Sequence, residues 1–192
     1  PDADGDGYAD SIDSFPSTPS QWADTDEDGS GDSPTGLNGA KCPGVYGTST
    51  EDRFGCTDSD GDGWSNPSSL CGIDSGADAF EQDASQHADA DGDGFGDAAD
   101  GFEADACPAQ AGTSFQDRFG CADDDSDGWS NDVDAFPNDP TQYLDTDNDG
   151  FGDAFDGNQP DSCPQRPGDS TEGRYGCLDG DGDGWDDESD EY

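Results

Sequence analysis

The stretch DADGDGYADSID sets Asp2, Asp4, Asp6, Asp10 and Asp13 at positions 1, 3, 5, 9 and 12 of a twelve-residue loop. Gly7 falls at position 6, and Tyr8 at position 7 adds a backbone carbonyl. Oxygen donors at these six positions, with glycine at the sharp turn, have the spacing of loops that bind calcium. Carboxylate and carbonyl oxygens select calcium or magnesium over softer metals, and a flexible cage with many carboxylates favours calcium.

Six more loops of this kind follow. The second has Asp24, Asp26, Asp28 and Asp32, but Thr35 at position 12, with Asn38 as an alternative last oxygen. The third has Asp58, Asp60, Asp62, Trp64 and Asn66, and an insertion displaces its last ligand to Asp78. The fourth offers Asp89, Asp91, Asp93, Phe95, Asp97 and Asp100; the fifth Asp123, Asp125, Asp127, Trp129, Asn131 and Asp134. The sixth offers Asp145, Asp147, Asp149, Phe151, Asp153 and Asp156; the seventh Asp179, Asp181, Asp183, Trp185, Asp187 and Asp190. Position 7, expected to ligate through its carbonyl, carries a ring in every loop but the second, where it is Ser30.

Composition explains why such loops would need ions. The 192 residues hold 50 Asp plus Glu against 5 Lys plus Arg, a formal charge of -45, and only 27% are apolar. A globular domain is roughly 45–50% apolar, and a chain this polar and charged would otherwise be disordered. Order must come from metal and disulfide staples instead of a large core. Seven calcium ions would reduce the charge only from -45 to about -31. Seven ions or more are therefore expected, with some loops holding two or sharing carboxylates with neighbours, because crowded like charges oppose one another's ionisation.

The elements that position these loops repeat as strictly as the loops do. Asp2 to Asp58 and Asp123 to Asp179 are both 56 residues, while Asp58 to Asp123 is 65, the difference being an insertion between Trp64 and Phe80. The sequence thus divides into repeat pairs at 1–57, 58–122 and 123–178, with 179–192 opening a fourth, as one continuous rod without a separate globular domain. QWAD, QHAD and QYLD precede Asp24, Asp89 and Asp145, so the single histidine, His87, fills the slot of Trp22 and Tyr143 and is expected to pack as a ring. Arg53, Arg118 and Arg174 recur once per pair, as partners for ligand carboxylates or for rings. With 29 Gly and 12 Pro and no 3.6-residue apolar stripe, the expected fold class is irregular, with little regular secondary structure beyond turns and short bridges.

Cys-Pro at Cys42, Cys107 and Cys163 is followed fourteen residues later by Cys56, Cys121 and Cys177, which pairs Cys42 with Cys56, Cys107 with Cys121 and Cys163 with Cys177. Zinc fits poorly, since CxxC spacing and histidine partners are missing. Cys71 is left over, as a free thiol or as a partner for another chain or for a residue outside this segment.

The loops and their Cys-Pro signals, as in ADADGDGFGDAADGFEADACP and LDTDNDGFGDAFDGNQPDSCP, resemble the thrombospondin type 3 repeat along the whole chain. The resemblance implies a calcium ladder: a linear array of loops wrapped around a line of ions, stapled by disulfides, with the named aspartates as ligands. FP in place of CP after the first and fifth loops departs from that family's pattern.

Several function classes are disfavoured. There is no basic patch for nucleic acid, no apolar run near the ~20 residues of a membrane-inserting helix, and neither spare histidine nor phosphate loop for an enzyme. Disulfides and calcium place the chain outside the cytoplasm, secreted or at a cell surface. The leading expectation is a calcium-stiffened extracellular structural protein, a stalk or the subunit of a fibre assembling with itself head to tail. The alternative is a calcium-dependent adhesion module for glycans or matrix.

Overall fold

The computed structural model describes residues 1–68 and 72–190, so Cys71 and Tyr192 lie outside it. Among the described residues, regular structure comprises one 3-10 turn, Ile73–Ser75, two isolated parallel bridges, Gly31 with Gly39 and Glu172 with Trp185, and a further bridge residue, Ser68. The irregular fold expected from glycine and proline content is what forms. The chain divides into two compact units, Pro1–Ala90 with Gly96–Ala104, and Asp91–Phe95 with Asp105–Tyr192.

Backbone handedness explains the loop sequences. Position 4 is left-handed in all seven loops, at φ 79° to 84° for Gly5, Gly61, Gly92 and Gly182 and at 61° to 67° for Glu27, Ser126 and Asn148. Those lower angles lie in the left-handed well that a side chain can enter at modest cost. Position 6 lies at φ 92° to 102° throughout and is glycine throughout: Gly7, Gly29, Gly63, Gly94, Gly128, Gly150 and Gly184. A residue with a Cβ is strained at this positive φ even where the surrounding space is open, as at Gly7, Gly29, Gly94 and Gly150, so glycine is favoured.

The interior is mostly polar. The buried apolar residues are Ala40, Cys56, Ala77, Cys121 and Cys177, whereas Gln21, Gln86, Gln142, Ser49, Ser114 and Ser170 are fully enclosed. Buried polar groups must be hydrogen-bonded, and these are. In the first unit, the Ser49 hydroxyl donates to the Arg53 carbonyl and accepts the Cys56 N–H. In the second, Ser114 does the same with Arg118 and Cys121, and Ser170 with Arg174 and Cys177. Each serine thereby closes the hairpin that carries a disulfide.

The disulfides form as paired from the sequence: Cys42–Cys56 in the first unit, Cys107–Cys121 and Cys163–Cys177 in the second. Each spans a short segment and contributes about 3 kcal/mol by restricting the unfolded chain.

Rings complete the packing. In the first unit, Tyr8 stacks on Trp22 and Trp64 on His87, at centroid distances of 5.3 and 4.3 Å with nearly parallel planes. In the second, Trp129 stacks on Tyr143 at 4.6 Å, while Phe95 meets Phe119 and Phe151 meets Tyr175 in tilted pairs. His87 therefore occupies a ring slot, as its sequence register indicated.

The arginines pair with carboxylates other than the expected ligands: Arg53 with Asp52, Arg118 with Asp132, and Arg174 with Asp186 and Glu188.

Candidate metal centres

Each loop first organises its own backbone. The position 1 carboxylate accepts two N–H groups, from position 4 at 2.7 to 2.8 Å in Asp2, Asp58, Asp123, Asp145 and Asp179, and from position 6. The position 5 carboxylate accepts the N–H of position 7, as Asp6 does from Tyr8 and Asp127 from Trp129. Such aspartate turns hold the chain in a crook that regular structure would not supply.

Position 9 has a different duty. Asp10, Asp32, Asn66, Asp97, Asn131, Asp153 and Asp187 each accept the N–H of position 2 across the loop, at 2.6 to 3.4 Å. An amide oxygen accepts such a bond as well as a carboxylate does, which is why asparagine stands here in two loops. In the second and sixth loops the remaining oxygen accepts a threonine hydroxyl, Thr25 on Asp32 and Thr146 on Asp153.

Positions 1, 3 and 5 converge. The triads Asp2, Asp4, Asp6; Asp24, Asp26, Asp28; and Asp58, Asp60, Asp62 in the first unit, and Asp123, Asp125, Asp127 in the second, each present three oxygens within 4.8 Å of one another. Exposed acidic groups gather without an ion often enough that proximity alone decides little. Burial decides more. Asp78 is 0% exposed, Asp134 8% and Asp161 6%. Each spends Oδ1 on the N–H two residues on, at 2.7, 2.7 and 2.6 Å. Their Oδ2 atoms are buried with no hydrogen-bond partner, as are oxygens of Asp4, Asp26, Asp60, Asp125 and Asp147. No described backbone N–H donates to the carbonyls of Tyr8, Trp64, Trp129, Phe151 or Trp185, the position 7 donors.

These carboxyls titrate abnormally. Burial pushes Asp78 up to about 6, with Asp62, Asp60 and Glu81 raising it further against the opposing Phe80 N–H. Asp161 rises to about 6 by burial, helped by Asp149, Asp147 and Asp153 against the Cys163 N–H. Asp134 is raised by burial and by Asp127, Asp125 and Asp123. Negative charge is being held together with nothing opposite it. The donor set is all oxygen, mostly anionic and partly orphaned, so it fits a hard divalent cation. These groups could hold a metal ion.

The acids at the ends of the loops differ in burial. Asp13, Asp78 and Asp134 are buried, and Asp190 is half-buried. Asp100 and Asp156, assigned to position 12 by counting, are exposed, and so is Asn38. Five residues beyond Asp100 and Asp156, the second unit buries Asp105 and Asp161. Each accepts the N–H of the following cysteine in its Cys-Pro signal, the bond that Asp134 makes with Phe136. The signal was legible: DACP and DSCP have the same form as DSFP and DAFP. Fixed counting from position 1 concealed it.

The fourth loop is divided between the two units. In its second-unit part, Asp93 accepts the Phe95 and Gly112 N–H groups.

No protein-family model matches the chain, and no curated protein matches it.

Proposed function

We propose that this chain is an extracellular calcium-binding structural protein, a linear array of thrombospondin type 3-like loops in which ions take the place of a hydrophobic core. The observation that carries the reading is the set of buried carboxylates, Asp78, Asp134 and Asp161, each with an orphaned oxygen beside further aspartates. A buried, unpaired charge is costly, and a divalent cation removes that cost.

In the fifth loop the ion would be held by Asp123, Asp125, Asp127, the Trp129 carbonyl and Asp134. In the sixth it would be held by Asp145, Asp147, Asp149, the Phe151 carbonyl and Asp161. Calcium supplies charge neutralisation and a crosslink between segments distant in sequence. Three disulfides support a location outside the cytoplasm. Among the described residues no helix is long and apolar enough to cross a membrane.

Chelation of the purified chain tests the calcium reading. Circular dichroism and resistance to trypsin should both collapse on removing calcium and return on adding it back; indifference of both to chelator would sink the reading. Head-to-tail assembly with further copies follows as the most economical use of such an array. Light scattering in millimolar calcium should then show species larger than a monomer, and a monodisperse monomer would count against assembly while leaving calcium binding intact.

One observation favours a second reading, an adhesion module. The insertion lays Ile73, Gly76 and Ala77 beside the Trp64–His87 stack, bounding a cavity of about 430 Å³. Deleting residues 72–77 would abolish capture on glycan or matrix surfaces under that reading, and would leave assembly unchanged under the first.

A further inference from the structure

The second loop keeps the scaffold of the sixth but lacks its deepest carboxylate. Ala40, 0% exposed, stands in the register of Asp161. Its N–H donates to the Gly31 carbonyl at 2.8 Å, as the Asp161 N–H does to Gly152. The next residue repeats the correspondence: Lys41 N–H donates to Phe54 and Ser162 N–H to Tyr175, both at 2.9 Å. The close approach of a left-handed glycine to this position persists as well. Gly55 at φ +67° faces the Ala40 Cβ and Asp28 Oδ2, just as Gly176 at φ +71° faces Asp161 Oδ1 and Asp149 Oδ2.

Two further differences lower the negative charge around this loop. Thr35 replaces Asp156, and Lys41, the chain's only lysine, replaces Ser162, with its ammonium donating to the Pro34 carbonyl. Charge count among the ligands is a main control on the affinity of a calcium loop.

We propose that the second loop is the weak, exchangeable calcium position of this chain, and that Ala40 makes it so. The proposal rests on the calcium reading above. As calcium falls, residues 31–41 open first, while the fifth and sixth loops still hold their ions. Local opening of this kind is visible to proteases. The Lys41 side chain is exposed, but its bond to Cys42 resists cutting when closed, because Ala40 is buried and the Ala40 and Lys41 N–H groups are hydrogen-bonded, so the backbone cannot extend into a protease.

A lysine-specific endoprotease has a single target here, and the cut separates residues 1–41 from 42–192 because the Cys42–Cys56 disulfide lies wholly on one side. The full chain is digested across a buffered calcium series with this protease, and in parallel with trypsin to read Arg118 and Arg174 after reduction. Cleavage at Lys41 is expected at calcium concentrations about tenfold or more above those that expose Arg118 and Arg174. Ala40→Asp should bring the Lys41 cut down to the same range, and Asp161→Ala should raise the concentration at which Arg174 is cut. Coincident cuts in the unaltered chain overturn the proposal and leave the calcium reading standing. So does an Ala40→Asp chain with unaltered dichroism in excess calcium whose Lys41 cut has not moved. If no cut depends on calcium, the calcium reading itself has failed. Should Ala40→Asp not fold, the order of cuts in the unaltered chain decides alone.

Discussion

The fifth and sixth loops, both in the second unit, arrive at the same buried carboxylate by different routes. In the fifth, Asp134 follows Asn131 by three residues, and a tight turn from Ser130 delivers it. In the sixth, Asp161 follows Asp153 by eight, and the intervening chain swings out, leaving Asp156 and Asn158 exposed. That excursion is held by Thr141 and Asp139, which accept from Asn158, and above all by one buried amide. Gln142 accepts the Ala154 N–H at 2.9 Å and donates to the Ala154 and Asn158 carbonyls at 3.1 Å each, a backbone-like pairing made by an amide side chain. Both routes end with the carboxylate bonded to the N–H two residues on. The chain path is negotiable, whereas the position of the charge is not.

The largest effect should come from removing that amide. Gln142→Ala strips the Ala154 N–H and the Asn158 carbonyl of their amide partner, leaves the Ala154 carbonyl only its bond from the Gly157 N–H, and opens a cavity in place of a fully buried side chain, so a loss of about 2–4 kcal/mol is expected in calcium-saturated unfolding. Val133→Ala, on the exposed turn of the fifth loop, should cost no more than about 0.5 kcal/mol. Similar losses at the two positions would break the comparison.

Next in size is the contrast between the buried and the exposed candidate for the last ligand. Asp161→Asn should weaken the calcium midpoint about tenfold, roughly 1.4 kcal/mol, and Asp134→Asn should do the same in the fifth loop. Asp156→Asn should leave the midpoint unchanged. A dichroism-monitored titration separates the three, and an Asp156→Asn effect equal to that of Asp161→Asn would restore the simple twelve-residue count.

The carboxylates also predict a pH response whose sign reverses with calcium. Asp78 and Asp161 titrate near 6 in the folded chain, above the ordinary 3.8. Without calcium the folded state therefore holds more protons than the unfolded state between these values. Their contribution to stability is full below about pH 4 and is lost as pH rises through 6. Calcium-stripped chain, collapsed at pH 7, should thus regain part of its fold at pH 4.5, followed by tryptophan fluorescence. Calcium-loaded chain should melt higher at pH 7, because protons compete for the ligands. The same order in both states would contradict the burial of these groups.

The smallest effect belongs to the ring slot. His87→Tyr copies the Trp129–Tyr143 stack of the second unit, and should change the melting free energy by under about 0.5 kcal/mol.

Much of this was readable in the residues. The period, the ring slots, the three disulfides and the lack of α-helix among the described residues follow from spacing and from glycine and proline, because each is a local rule. The burial of Asp161 was not, because it depends on an eight-residue excursion whose closure is a tertiary fact. Gln142 was visible as a recurring letter before a ring, but nothing local says that its amide is buried. Position 9 was read as a ligand from its oxygen, and only the fold reveals the cross-loop bond that accepts asparagine equally.

An interior built from aspartate, serine, glutamine and cystine has a thermal consequence. Exposure of apolar surface on unfolding raises the heat capacity, and exposure of polar surface lowers it. With only five apolar side chains buried among the described residues, the heat-capacity increment should fall well below the usual ~12–15 cal/mol/K per residue. The stability curve of the calcium-loaded chain is then shallow. Under the calcium reading it should keep nearly the same margin in cold water as in warm, and vary with the surrounding ion far more than with the season.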